Sequence, residues 1–199
     1  MNLDFNIRYE QIIKLLKIKN NSNILEVGAL FPACLSNYLG KDFNYLGINK
    51  NYSNHKYRIK KMNFLSNNFE DNSFSHSIST DTIEHIKKIS RQKFIDEMFR
   101  VTKNIVIVGT PNPEGQKYEK ILVRLLKASG KGEHYIRFFN EHEKFGVPSR
   151  KEMLSYLSKY NYTTIENFNL RYWIGILLGD IFAFNIDLKN GGHQQQAGL

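Results

Sequence analysis

Cysteine is nearly absent: Cys34 is the only one in 199 residues, which excludes an internal disulfide framework and a structural zinc site built from several thiolates. A reducing compartment is the expected setting. Long apolar runs are missing too. No window approaches the ~18 uninterrupted apolar residues of a membrane span, and the opening MNLDFNIRYEQ has an acid and a polar run where a signal peptide carries its apolar stretch. A soluble, cytoplasmic protein is the expectation. Acids are in short supply, 19 against 28 Lys and Arg, giving a formal charge of +9. Such an excess suits an anionic partner, whether nucleic acid, phospholipid or phosphorylated substrate. Asn occurs 22 times in the same chain, however, and the basic excess is read as the background of an Asn- and Lys-rich composition. What is plentiful is core material: 41% apolar residues, with 14 Phe and 11 Tyr, enough for one domain with a single core.

Residues 4–17 put Phe5, Tyr9, Ile12, Ile13 and Leu16 on one face at helical spacing, an amphipathic helix started by Asp4 and broken by NNSN, so residues 1–22 read as an N-terminal helical segment. Five short apolar runs follow, each bounded by turn formers, and predict strands over 24–28, 44–49, 57–62, 74–80 and 104–109. Helices are predicted between them over 33–39 and 81–102. Strands alternating with helical segments argue for βαβ units, hence a doubly wound α/β domain, its sheet mostly parallel and covered by helices on both faces, over about residues 23–188. After Gly109 the pattern changes: a loop, a helix over 116–128, a glycine-containing loop over 129–134, a helix over 149–160 opened by Ser149, a strand over 162–170 and an apolar stretch over 173–184. Residues 189–199 form a low-complexity polar tail, read as disordered and left out of the fold.

In a doubly wound sheet ligands bind beyond the carboxyl ends of the strands. Those ends are Glu26-Val27-Gly28-Ala29, Gly47-Ile48-Asn49, the region of Asn63, Ser79-Thr80-Asp81 with Glu84-His85 one turn on, and Gly109-Thr110-Pro111-Asn112. The series, and above all FEDNSFSHSISTDTIEHI followed by RQKFIDEMFRVTKNIVIVGTPN, resembles a class I S-adenosylmethionine-dependent methyltransferase of the type 11 small-molecule branch. In that family "nsFD" opens the fourth strand, "EH" follows it, a helix ends in "RV", and the fifth strand leads into "PN". The resemblance implies a Rossmann-like methyltransferase fold and S-adenosylmethionine as cofactor. It implies that Gly28 and Ala29 let the backbone approach the methionine part, that Glu26 orients the ligand around that turn, that Asn49 faces the ribose, that Asn63 meets the adenine amino group with Phe64 on the ring, and that Thr80 and Asp81 flank the sulfonium. Leu30 and Pro32 stand where the family has two of its three loop glycines, and Asn49 and Asn63 stand where it has acids, neutral groups that hold a ribose less firmly than a charge does.

His134, in GEHYIRFF, and His85 are the candidate catalytic residues; relatives fold the corresponding segment, about 113–148 here, over the acceptor. A base near neutrality suits removal of a hydroxyl proton. In ubiquinone-pathway O-methyltransferases an acid-x-x-acid-His pattern is associated with a divalent metal, and Asp81-Thr82-Ile83-Glu84-His85 has that form. The plainer reading is preferred, with Asp81 capping a helix and Glu84 and His85 fixing loops, so no metal site is assigned from sequence. His142 is read as a loop histidine, His76 as packing, His55 as exposed and Cys34 as buried. Lys117, Lys120, Arg124 and Lys127 lie opposite Tyr118, Ile121, Leu122 and Leu125, a basic amphipathic helix read first as a solvated positive face over a buried apolar one, with peripheral contact with a membrane as the functional alternative. The expected activity is methyl transfer to oxygen or nitrogen of a small or lipid-linked acceptor. A non-catalytic relative serving as a binding scaffold is the rival, and a nucleic-acid methyltransferase, resting on charge alone, is not expected.

Overall fold

The computed structural model describes residues 3–18, 21–30, 34–39, 43–130 and 133–165; the side chains of 3–8, 117, 129, 134 and 135 lie outside that description. Strands β1 (Asn23–Val27), β2 (Asn44–Asn49), β3 (Ile59–Lys61), β4 (Phe74–Thr80) and β5 (Thr102–Gly109) form one sheet in the order β3-β2-β1-β4-β5. Every pairing is parallel. Strand order reverses beside β1, so the carboxyl ends of β1 and β4 flank the switch point where ligands bind in such sheets.

Central β1 is buried from Ile24 to Val27, apolar except for Glu26. Its side chains divide between two layers. Leu25 and Val27 pack with Phe94, Ile95, Met98 and Val101 of α2 (Lys88–Val101), against which Met153, Tyr156 and Leu157 of α5 (Arg150–Leu157) also lie. Ile24 packs on the opposite side with Tyr9, Ile12 and Leu16 of α1 (Leu3–Leu16), together with Tyr45 and Ile78. Helices therefore cover both faces, the expected doubly wound α/β architecture. Two further helices, α3 (Pro113–Ser129) and α4 (Glu133–Phe145), pack on each other through Leu122, Leu126 and Phe139.

Several elements depart from the sequence expectation. The helix foreseen over 33–39 is a single 3-10 turn, Leu35–Asn37. The one foreseen over 81–102 is broken: Asp81 takes a left-handed φ of 47°, a 3-10 turn spans Ile83–His85, and α2 begins only at Lys88. Tertiary contacts cause the break, since the Thr82 hydroxyl donates to the carbonyls of Val27 and Thr80 and folds the chain back across the ends of β1 and β4. Residues 133–145, foreseen as loop followed by unassigned chain, are helical, and 161–165 carry no strand. The remainder of the strand foreseen over 162–170, the apolar stretch 173–184 and the tail lie outside the described residues.

One buried charge joins the α1 layer to the sheet. Glu26, pointing to the α1 side of β1, is 2% exposed and accepts three hydrogen bonds: from the Tyr9 hydroxyl of α1 at 2.6 Å, the Tyr45 hydroxyl of β2 at 2.5 Å and the Leu35 amide at 2.7 Å. Burial raises its carboxyl above the ordinary value of 4.5, while the three donors pull the other way. A pKa raised by folding means that the folded state holds the proton better, so the contribution is full below about pH 4.5 and declines as pH rises through the folded value. The stability of the wild type relative to Glu26→Gln should accordingly fall between pH 4 and pH 7 in urea unfolding; parallel profiles would contradict a buried carboxyl at this position. Tyr9→Phe and Tyr45→Phe each remove one donor from a buried acceptor and should cost about 1–3 kcal/mol.

The last helix carries a second prediction. Ser149 and Glu152 form a reciprocal capping box, and Lys88 together with the Ser149 amide holds the Glu152 carboxyl down at about 2. Ser149→Ala should cost about 1 kcal/mol. Glu152→Gln should flatten the acid limb of the stability curve, because a depressed carboxyl contributes above its unfolded value and loses that contribution as pH falls towards 2.

Candidate functional site

The carboxyl ends of the strands are stitched into one continuous edge. At the β1 end, Gly28 and Ala29 both donate their amides to the carbonyl of Ile48 in β2. Asn49 reaches back, its Nδ2 donating to the Ala29 carbonyl at 3.1 Å while its Oδ1 accepts from the Asn51 amide at 2.9 Å. The Met62 amide beyond β3 donates to the Asn49 carbonyl, and the Asp81 amide beyond β4 donates to the Gly109 carbonyl at the end of β5. Gly28, Ala29, Asn49, Thr80 and Asp81 thus stand along a single edge, as the strand ends in the sequence suggested.

Gly28 is where that edge needs glycine. Its φ is +91°, and a Cβ placed there would lie 2.0 Å from the Thr82 hydroxyl. The chain after β4 therefore packs directly on the first loop, with only a hydrogen between them.

Other candidates are deployed differently from the expectation. Glu26 does not face the edge: its oxygens are held by Tyr9, Tyr45 and the Leu35 amide, so it shapes the first loop from below. The Phe64 ring lies in the core, 5% exposed and edge-on to Phe94 at 5.5 Å, because the 3-10 turn Phe64–Ser66 turns it inward. It serves packing rather than an adenine. Asn63 caps that turn, its Oδ1 accepting from the Leu65 amide, and is exposed. His134 stands in the first turn of α4, its side chain outside the description.

The structure also gathers residues that the sequence kept apart. The turn Ile83–His85 follows the end of β4 and is covered by α4. Glu84 is fully buried, His85 is partly exposed, and His142 of α4 is buried. Their donor atoms lie within 4.8 Å of one another. Nδ1 of His85 is 2.6 Å from Oε2 of Glu141, and Nδ1 of His142 is 3.0 Å from Oε1 of Glu119. Burial holds the His85 imidazole below its ordinary 6.5, with His142 acting in the same direction and Glu141 opposing both. Asp81, one of the three residues in the sequence pattern, is not in this cluster; His142, read from sequence as a loop histidine, is. His76, by contrast, is buried packing beside Ser75, His55 is exposed and Cys34 is buried, as expected.

Arg91 holds the cover in place. It is 1% exposed, and its guanidinium donates to the carbonyls of Ile86, Phe145 and Gly146, tying the start of α2 to the C-terminal end of α4, where the helix dipole favours a cation. Sequence reasoning missed Arg91 and Glu119, since nothing local marks a residue whose partners lie 54 and 23 positions away.

The comparisons agree with this geometry. The methyltransferase domain family of type 11 matches residues 26–107, from Glu26 in β1 into β5. No curated protein matches the chain. Among solved structures, a Bacillus halodurans protein classed as a methyltransferase shares the fold with a TM-score of 0.55 at 13% identity, over 80% of this chain and 71% of its own. Mycolic acid cyclopropane synthase CmaA1, solved with S-adenosylhomocysteine, gives 0.60 at 15% identity over 93% of this chain and 70% of its own. Haemonchus contortus phosphoethanolamine N-methyltransferase 2, solved with phosphomonomethylethanolamine and S-adenosylhomocysteine, gives 0.60 at 16% identity over 96% of this chain, which spans 45% of that protein's length. The family match thus runs along the strands that build the edge, and the chain shares the fold of class I S-adenosylmethionine-dependent methyltransferases beyond it.

Proposed function

We propose that the protein transfers the sulfonium methyl of S-adenosylmethionine to an oxygen or nitrogen of a small or lipid-linked acceptor. One observation carries the reading. At the switch-point edge the first loop turns at Gly28, whose φ of +91° and contact with Thr82 admit only glycine, in the same chain segment that matches the methyltransferase family. The residues fit the cofactor at this edge: Gly28 and Ala29 beside its methionine part, Asn49 beside the ribose, Asn63 beside the adenine, and Thr80 and Asp81 beside the sulfonium. S-adenosylmethionine supplies an activated methyl group, and the protein needs no covalent intermediate.

What remains for the chain is alignment. An in-line displacement wants nucleophile and methyl about 3–3.5 Å apart with water excluded. The α3–α4 cover, clamped by Arg91 over the Ile83–His85 turn, is placed to close the acceptor side. His85 and His134 stand on that side as candidates to take an acceptor proton. Glu26 acts through others as a positioning residue: its bond to the Leu35 amide and to Tyr45 fixes the loop and strand that flank the Gly28 turn.

A second feature supports the lipid-linked form of the acceptor. On α3, Leu122 and Leu126 face Phe139, but Ile121 and Leu125 are 55% and 60% exposed, so the apolar residues foreseen as one buried face are split, and half of them meet solvent beside Lys120 and Arg124. Exposed aliphatics flanked by cations suit the headgroup boundary of an anionic membrane. Among the described residues no helix is long and apolar enough to cross one.

Calorimetric titration with S-adenosylhomocysteine should give one saturable site, absent in Gly28→Val, whose Cβ would meet Thr82; a folded wild type that does not respond to the ligand would favour the scaffold reading. Asn49→Asp should tighten binding by restoring a charged acceptor to the ribose. Reversing Arg124 and Lys127 to Glu should weaken binding to phosphatidylserine vesicles without lowering the melting temperature, and added salt should weaken it too. Equal binding to neutral and anionic vesicles would remove the membrane reading.

A further inference from the structure

We infer that Glu84, His85 and His142 form a binding site for a first-row divalent transition-metal ion at the acceptor side of the proposed cofactor edge. The donors come from two elements far apart in sequence, the turn after β4 and the last turns of α4, yet their ligating atoms fall within 4.8 Å of one another. Two imidazoles and one carboxylate are a donor set suited to Zn²⁺, Mn²⁺ or Co²⁺, with remaining positions open to water or an acceptor oxygen.

The outer contacts favour the same assignment. Metal-bound histidines as a rule give their second ring nitrogen to a carboxylate, which fixes the tautomer and the ring orientation. His142 is arranged in that way, and a carboxylate oxygen also lies against the His85 ring. Glu141 lies at Nδ1 of His85 and Glu119 at Nδ1 of His142, so Nε2 of each ring is the atom left to ligate. On His85 that Nε2 is the nitrogen turned to Glu84, 3.9 Å from its Oε1, a separation in keeping with two ligands that share one ion rather than bond to each other. The ring centroids of His85 and His142 are 5.5 Å apart and tilted by 42°, converging without stacking. A merely structural pair of histidines has no need of two separate carboxylates behind it.

Place in the fold gives the site its role. Glu84 and His85 lie three to five residues beyond Thr80 and Asp81, and Arg91 binds the carbonyls of Phe145 and Gly146 just after His142, locking the third ligand's helix over the first two. An ion held there would bind an acceptor hydroxyl, lower its pKa and present it as the nucleophile, the oxygen losing its proton to solvent or to a neighbouring base as it takes the methyl. This role rests on the methyl-transfer reading; the metal site itself does not.

The test is a titration of the purified full chain, stripped with chelator, using cobalt(II) chloride alone, followed by visible absorption and calorimetry. One equivalent should bind with the d–d bands of a four- or five-coordinate site, and zinc should displace it. His142→Ala and His85→Ala should abolish the bands. Glu119→Gln, which keeps the shape of the carboxylate and stays folded by circular dichroism, should weaken binding by about 10–100-fold. Absence of stoichiometric binding, or binding that survives in both histidine variants, overturns the site, as does an unchanged affinity in a folded Glu119→Gln. Cobalt bound by a chain that ignores S-adenosylhomocysteine upholds the site and overturns its role in methyl transfer. A chain that binds S-adenosylhomocysteine but not cobalt leaves the cofactor reading standing and sinks the metal.

Discussion

A single buried carboxylate sets the geometry on which the proposed cofactor edge depends. Glu26 sits in the middle strand of the sheet, satisfied by two tyrosine hydroxyls and one amide. A buried charge is costly unless fully hydrogen-bonded, so each donor is held strongly in position. Through Tyr9 the N-terminal helix is fixed to the sheet, through Tyr45 the neighbouring strand is held in register, and through the Leu35 amide the chain returning from the first loop is pinned under its own start. The backbone of Gly28 and Ala29 lies immediately above, so an acid that touches no edge residue still decides where the edge runs.

The opposite side of the edge is governed by a buried cation. Arg91 gives up water and receives three carbonyls in exchange, two of them at the end of α4, where the peptide dipoles present negative charge. The effect is to couple α2, which belongs to the core, with α4, which belongs to the cover. Together with the contact between the Ile83–His85 turn and α4, it fixes the helix that carries His142 against the turn that carries His85.

Between these two anchors the edge itself is unusually neutral for a proposed cofactor site. Asn49 and Asn63 stand where the family has acids, and each already makes local hydrogen bonds, Asn49 to the first loop and to Asn51, Asn63 to the turn it caps. Part of what charge does elsewhere in the family is thus replaced by shape: a glycine at φ +91° and a loop strapped to the neighbouring strand. Titratable groups meet instead around His85 and His142, where Glu84, Glu141 and Glu119 stand against the two rings.

Much of this was legible in the sequence, and the parts that were not share one cause. β2 and β4 run from Asn44 to Asn49 and from Phe74 to Thr80, bounds that the flanking turn formers indicate. The parallel sheet, the helices on both faces and the row of strand ends follow from the alternation of strands with helical segments. The tertiary structure decided the rest. Whether the chain after Thr80 continued as helix turned on a hydroxyl bond from Thr82 to Val27, 55 residues away. Whether Phe64 faced ligand or core turned on a 3-10 turn meeting Phe94. Whether Glu26 bound a ligand or a pair of tyrosines, and whether His142 was an isolated loop residue or the third member of a buried cluster, turned on contacts across 17 and 58 positions of chain. Local sequence sets the elements because backbone hydrogen bonding and side-chain periodicity are local; which polar group meets which depends on how the layers stack, and no window of sequence contains that.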